Sequence, residues 1–290
     1  MRIAYQGEPG AFSEAASRQI DTGGELLPCR EFEDVFEAVK AGRADYGVLP
    51  IENSIGGSIH RNFDLLQQND LPIVGETEVP VVHHLLALPG TTLEKVRRIY
   101  SHPQGLAQCE RFLRTLENVE IIASYDTAGS AKMIAADRMP DAAAIASARA
   151  GEVFGLQTLR AGIQDYDHNT TRFLVIGRRP LSDAPHDKTS IVFTLPNEPG
   201  ALFKALSTFA LRNIDLTKLE SRPMPSRKWE YLFYMDLKAS PDDPACARAL
   251  AHLGEIAPML RILGSYASSK PAGRNDAAAS ASASSLETRA

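Results

Sequence analysis

Four short clusters of polar and small residues carry the side chains from which a ligand crevice can be built. In Leu49-Pro50-Ile51-Glu52-Asn53-Ser54-Ile55-Gly56-Gly57-Ser58, an apolar run ends in Glu, Asn and Ser and then in two glycines. Such a turn lets backbone amides approach a ligand. Ser101-His102-Pro103-Gln104-Gly105-Leu106-Ala107-Gln108-Cys109 sets Ser101 at a strand end and Gln108 about one turn into the next helix, with Gln104 and Gln108 both able to point to a common crevice. Tyr125-Asp126-Thr127-Ala128-Gly129-Ser130-Ala131 is a small-residue helix start whose free N–H groups can hold an anion. Asn169-Thr170-Thr171-Arg172-Phe173 puts a hydroxyl donor beside a guanidinium able to take a carboxylate through two hydrogen bonds. Each cluster alone also reads as ordinary structure: a turn with Ser58 as a helix cap, surface glutamines, a common helix start, or a strand start with an exposed Arg172.

The elements that must position these clusters alternate along the first ~180 residues. Strands are expected at Arg2–Gln6, 45–49, 71–78, 79–88, 96–100, 119–123, Ala142–Ala146 and 172–177. Helices are expected at 11–20, around Phe32–Val39, at 105–116 and at 127–137. That alternation argues for α/β layers with mainly parallel pairing, whose ligands sit at the carboxyl ends of strands. After a polar, proline-containing linker at 178–187, the pattern restarts as βαββαβ, a ferredoxin-like unit spanning 188–267. From Ser268 to residue 290 the chain is largely Ala and Ser, a composition expected to stay disordered.

Bulk composition narrows the function classes. The 290 residues are 44% hydrophobic and 23% charged with a net charge of −5, as in a globular protein. No Lys/Arg-rich run offers a nucleic-acid surface, and no apolar stretch is long enough to span a bilayer. The N-terminus runs directly into a strand and Cys29, Cys109 and Cys246 form no paired motif, so a cytoplasmic protein with reduced thiols is expected. Seven histidines without HxH or HExxH spacing give no expectation of a metal, and no nucleotide signature points to a cofactor.

Taken together, the clusters resemble the prephenate dehydratase family across the whole N-terminal ~180 residues. The resemblance is carried by Gly7-Glu8-Pro9-Gly10-Ala11-Phe12-Ser13, Pro50-Ile51-Glu52-Asn53-Ser54, Ser101-His102-Pro103-Gln104, Thr127-Ala128-Gly129 and Asn169-x-Thr171-Arg172-Phe173. Ile59–Leu66 and Ser101–Cys109 look like the plant-type branch, whose members often prefer arogenate. The C-terminal unit looks like a phenylalanine-binding ACT domain, through Pro199-Gly200-Ala201-Leu202-Phe203 and Glu220-Ser221-Arg222-Pro223.

That resemblance implies an α/β fold with a two-lobed, periplasmic-binding-protein-like catalytic domain at 1–180 and a ferredoxin-like ACT domain. The first lobe would take 1–76 and 164–178, and the second 77–163. It implies Thr171 as donor to the leaving hydroxyl, with Asn53, Ser101 and Gln108 as further catalytic residues. Glu52, Ser54, Arg172 and Thr127 would bind substrate, and Gly200, Ala201, Leu202, Glu220, Ser221 and Arg222 would bind L-phenylalanine. The implied activity is conversion of prephenate to phenylpyruvate without a cofactor. The alternatives are arogenate as substrate, or a non-catalytic two-lobed binding protein. A homodimer or homotetramer is implied by the side-by-side pairing of ACT units.

Overall fold

The computed structural model describes residues 1–224 and 230–269. The chain opens with β1 (Arg2–Gln6), α1 (Phe12–Ile20), β2 (Glu25–Cys29), α2 (Phe32–Lys40), β3 (Tyr46–Asn53), β4 (Gly57–Ser58), α3 (His60–Gln68) and β5 (Ile73–Pro80). It then crosses to β6 (His84–Ala87), β7 (Arg98–Ser101), α4 (Pro103–Ala107), α5 (Glu110–Leu113), β8 (Glu120–Ala123), α6 (Thr127–Ala136), β9 (Ala142–Ala146), α7 (Ala148–Phe154) and β10 (Gln157–Arg160). β11 (Thr170–Gly177) returns to the first lobe. β12 (Lys188–Thr194), α8 (Ala201–Ala210), β13 (Leu216–Pro223), β14 (Tyr231–Leu237), α9 (Pro244–Ile256) and β15 (Met259–Tyr266) complete the fold.

Three sheets result, ordered β2-β1-β3-β11-β5 with β4 on β3, β10-β6-β9-β7-β8, and β13-β14-β12-β15. The two-lobed α/β architecture with a ferredoxin-like C-terminal unit is therefore present. The expectation of mainly parallel pairing is corrected. β1 pairs in parallel with β2 and β3, but β11 lies antiparallel to both β3 and β5. β11 enters the first sheet from the far lobe, and that return path reverses its direction.

Local chemistry explains the elements. α2 starts in a reciprocal cap between Glu31 and Asp34 and buries Val35, Phe36, Ala38 and Val39. α4 starts with Pro103 under the His102 side chain, which accepts from the Gln104 N–H. β9 is an all-buried Ala-Ala-Ala-Ile-Ala run at the centre of its sheet, the pattern of a strand covered on both faces.

The C-terminal sheet is bonded to the first lobe through one of its faces. Val192, Leu232, Tyr234, Leu263 and Tyr266 share a single apolar core with Phe36, Phe63, Leu66 and Ile73. Its other face, with Ile191, Phe193, Met235 and Leu237, packs under α8 and α9. Ser268 and Ser269, expected to belong to a disordered stretch, are instead hydrogen-bonded to the folded chain. Ser268 donates through N–H and Oγ to Asp187 (2.6 and 2.8 Å), and the Ser269 N–H reaches Glu76 at 3.1 Å. Residues 270–290 lie outside the described residues.

Candidate active site

The lobes meet over a cavity of about 380 Å³ lined by residues of both, Asn53, Phe12 and Thr171 from one and His83, Gln108 and Thr127 from the other. Register builds one side of it. Thr171 on β11 stands directly across from Asn53 on β3, and Arg172 across from Glu52. Neighbours along a strand face opposite ways, so this strand pair presents Asn53 and Thr171 to the cavity and Glu52 and Arg172 to its back.

Asn53 and Gln108 of the cavity wall form a closed ring of three amides with Asn169. Asn53 Nδ2 donates to Asn169 Oδ1 (2.7 Å), Asn169 Nδ2 to Gln108 Oε1 (2.9 Å), and Gln108 Nε2 to Asn53 Oδ1 (3.2 Å). The orientation of the ring is anchored by backbone. The N–H groups of Ile55 and Gly56 both point at Asn53 Oδ1, at 3.0 and 2.7 Å. A backbone N–H only donates, so that atom must be the oxygen, and every other amide follows. Asn53 Nδ2 then donates to Thr171 Oγ1 at 2.9 Å. Because Thr171 Oγ1 is an acceptor there, its own hydrogen is left for another partner, and none among the described residues takes it.

The expected site residues divide accordingly. Asn53, Gln108, Thr171 and Thr127 line the cavity. Thr127 opens α6, where the Asp126 side chain already caps the Ala128 N–H, so a bound anion there would meet a carboxylate. Ser101 is fully buried and donates to the Ile145 carbonyl at 2.7 Å, as a brace behind the wall. Ser54 is exposed and ties the turn to β11 by donating to the His168 carbonyl and accepting from the Thr170 N–H.

Against the expectation that it takes a substrate carboxylate, Arg172 lies away from the crevice and is engaged elsewhere. Its Nε reaches Glu76 at 2.7 Å, one terminal nitrogen reaches Asp236 at 2.6 Å and the other the Tyr266 hydroxyl at 3.1 Å. Burial works against its charge, but Asp236, Tyr266 and Glu76 outweigh it and hold the guanidinium firmly protonated. Glu52 likewise faces the C-terminal sheet, paired with Lys218 at 3.0 Å.

The residues expected to take an effector are also split. Gly200, Ala201 and Leu202 start α8 on the helical side of the C-terminal sheet. Glu220 and Arg222 point to the other side. Glu220 accepts from Ser58 (2.6 Å) and meets His60 (3.2 Å), while Arg222 pairs with Asp64 at 2.7 Å. Ser221 lies between them on the exposed edge strand. Within one chain these six residues do not converge.

Sequence reasoning missed Asn169 and His83 as site residues. Asn169 is the third amide of the ring, and His83 Nε2 joins it at Gln108 Oε1, 2.9 Å away. The signal for Asn169 was present in the Asn-x-Thr spacing, which places it two residues before Thr171 on the same approach.

This geometry defines a two-lobed α/β protein with a small crevice between its lobes and a ferredoxin-like unit on the back of one lobe. The prephenate dehydratase family model matches residues 3–181, and the ACT domain model matches 189–254. The chain belongs to the prephenate dehydratase family. It is 50% identical to "Arogenate dehydratase/prephenate dehydratase 2, chloroplastic" of Arabidopsis thaliana, over 92% of this chain and 72% of that protein. Among solved structures, the prephenate dehydratase of Arthrobacter aurescens in complex with L-Phe superposes with a TM-score of 0.84 at 34% identity, covering 92% of this chain and 90% of that one. A structure described as "GqqA- a novel type of quorum quenching acylases" gives a TM-score of 0.83 at 39% identity, covering 93% and 99%. The expected cytoplasmic location is corrected by the Arabidopsis relative, whose name places it in the chloroplast. Among the described residues, no helix is long and apolar enough to cross a membrane.

Proposed function

We propose that this chain aromatises prephenate to phenylpyruvate, or arogenate to phenylalanine, by coupled loss of carbon dioxide and water. In that reaction the ring carbon–carboxylate bond breaks, its electron pair enters the ring, and the carbon–hydroxyl bond opposite breaks; the departing hydroxyl is stabilised by a hydrogen-bond donor and leaves as water with one proton supplied by the medium. Aromatisation supplies the driving force, so the protein must orient the ring, exclude bulk water and stabilise the departing hydroxyl. The observation that carries the reading is the Thr171 hydroxyl: held as an acceptor by Asn53, it has its hydrogen available to a leaving oxygen in the crevice. No Arg or Lys lines the cavity among the described residues, so no fixed cation there holds the ring carboxylate back from leaving as carbon dioxide.

The acylase-titled neighbour raises an acyl-transfer reading, which needs a nucleophile beside a base. Among the described residues, no hydroxyl lining the cavity is hydrogen-bonded to an imidazole base. Thr171 meets an amide, Ser101 donates to a carbonyl, and burial pushes the Cys109 thiol up to about 12, leaving it protonated at neutral pH. The dehydratase reading is therefore preferred. Purified protein is expected to turn over prephenate, arogenate or both with nothing added and with no loss of rate in EDTA. Inactivity on both substrates overturns the reading.

The ACT unit supports control by L-phenylalanine. Gly200 takes a left-handed φ of 81° at the start of α8, which bares backbone N–H groups to a carboxylate. Phe203 and Leu211 of the same region are 76% and 79% exposed, and β13 is an open sheet edge. Such surfaces favour pairing of two ACT units in a homodimer or homotetramer, with the effector between them. Open space surrounds a Cβ at Gly200, so Gly200→Val acts through the backbone, where a left-handed valine costs about 1–2 kcal/mol. Calorimetry is expected to show phenylalanine affinity reduced at least tenfold in that variant; unchanged affinity would place the effector elsewhere.

A further inference from the structure

Two helices, one from each lobe, begin at the crevice, and their N-termini are finished differently. α6 is stoppered by its own cap, with Asp126 Oδ1 accepting from the Ala128 N–H at 2.9 Å. α1 carries no side-chain cap, since its N-cap is Ala11. The N–H groups of Phe12 and Ser13 in its first turn meet no acceptor among the described residues. Glu14 of the same turn is folded back on the Gly10 N–H and on Arg18. Ser13 adds a side chain to these bare donors. It lines the crevice at 7% exposure, and its hydroxyl has no partner among the described residues. Nor is that hydroxyl sealed in: the fully enclosed unpaired atoms are Asn62 Oδ1, His83 Nδ1 and His84 Nδ1. α1 thus opens on the crevice with two unpaired N–H groups and an O–H, the donor set of an anion site.

An acceptor stands next to these donors. Among the described residues lining the crevice, Asp126 is the one carboxylate, and it is only half-buried, within reach of a ligand. A Cβ placed on Gly7 would lie 3.1 Å from Ala11 Cβ and 3.1 Å from Asp126 Oδ2, so the carboxylate and the start of α1 are near neighbours across the lobe boundary. The Glu8 N–H reaches the same oxygen at 3.3 Å, and Thr127 Oγ1 lies 3.4 Å from Oδ1. A carboxylate offers about four lone-pair sites, so it has room for a further donor. Donors beside an acceptor complement a carboxylate and an ammonium carried on one carbon. Resting on the dehydratase reading, we propose that the crevice is built for the amino-acid side chain of arogenate: Ser13 and the start of α1 take its carboxylate, Asp126 takes its ammonium, and arogenate is the preferred substrate. Prephenate has a keto oxygen in place of the ammonium, which sets one acceptor against another at Asp126. The retained carboxylate occupies the anion site, so its donors do not oppose loss of the departing one.

The test is kcat/KM for arogenate and for prephenate, measured side by side on each protein. Wild type is expected to favour arogenate by about 10–100-fold, the worth of one charge-assisted hydrogen bond. Asp126→Asn keeps an oxygen under the Ala128 N–H and removes the charge, so it should lower the arogenate-to-prephenate ratio by about 10–100-fold. Asp126→Ser, whose hydroxyl can take over the cap, should lower it likewise. A merely structural role, such as tying the lobes through the Glu8 N–H, would depress both substrates together and leave the ratio alone. Ser13→Ala should raise KM by about tenfold on both substrates with the ratio kept, because both carry that carboxylate. An unchanged ratio in the Asp126 variants removes the ammonium contact and overturns the proposal. Ser13→Ala with wild-type KM on both substrates overturns the carboxylate site. A wild type that favours prephenate overturns the specificity without any variant, and where neither Asp126 variant folds that ratio alone decides. Each of these results leaves the dehydratase reading standing, whereas a wild type inactive on both substrates removes the two together.

Discussion

Thr171→Val is expected to lower kcat by about 10²–10³-fold, the magnitude lost when one preorganised donor to a developing charge is removed. Valine keeps the branched shape that fills the cavity wall and deletes only the hydroxyl. The loss should fall on kcat rather than KM, because the leaving oxygen needs the donor most as its bond to carbon breaks. The Asn53 amide loses one of its acceptors in the variant but keeps Asn169 Oδ1 at 2.7 Å, so the ring should survive. Turnover within a few-fold of wild type on the better substrate would show that the hydrogen left free by the Asn53 bond is not used.

The second large effect is expected one residue on, and in stability rather than chemistry. Arg172 is 12% exposed, between Glu76 at 3% and Asp236 at 9%. Removing one member of a buried ionic cluster strands the others, typically at about 3–5 kcal/mol. Arg172→Ala should fall near the lower end, since Lys188 still meets Glu76 at 3.0 Å and Ser190 still donates to Asp236 at 2.6 Å. Thermal unfolding should move down by several degrees. A double-mutant cycle with Asp236→Ala should show strong non-additivity, as expected for residues in one network. Additive effects with an unchanged midpoint would mean that the cluster contributes no net stability. Because Arg172 adjoins Thr171, the variant also reports whether the seating of the C-terminal sheet governs the crevice.

How much of this was legible in the sequence differs from residue to residue. β1, β9 and β15 are read from their apolar runs, and the motif residues Asn53, Gln108, Thr171 and Thr127 all line the crevice. β2 was not legible: it is a half-buried edge strand with Pro28 inside it, so its pattern is diluted. The helix expected over 105–116 breaks instead at Gln108 and Cys109, where the chain turns to bury the cysteine and aim the glutamine. Strand direction was not legible either, because a period of two carries no polarity. The outward direction of Arg172 follows from strand alternation. Once Thr171 and Arg172 share a strand, alternation forbids both from facing one ligand. The amide ring lay beyond reach, since its members come from positions 53, 108 and 169, far apart in sequence and drawn from both lobes.

The apolar core shared by the first lobe and the C-terminal sheet bears on how such proteins can be recombined. Tyr234 donates to the Phe63 carbonyl, Arg261 reaches the Gln67 and Asn69 carbonyls, and Gly264 lies so close to Ile73 that no side chain fits there. The sensing unit is thus not a cassette clipped on by a linker. A chimera that transplants it from a relative must bring the α3 surface and the β5 edge along with it, or the graft would leave mismatched hydrophobic faces on both sides of the junction. Cutting at the linker would bare Phe63, Leu66 and Ile73 to water, turning an enzyme relieved of its regulator into an aggregating one.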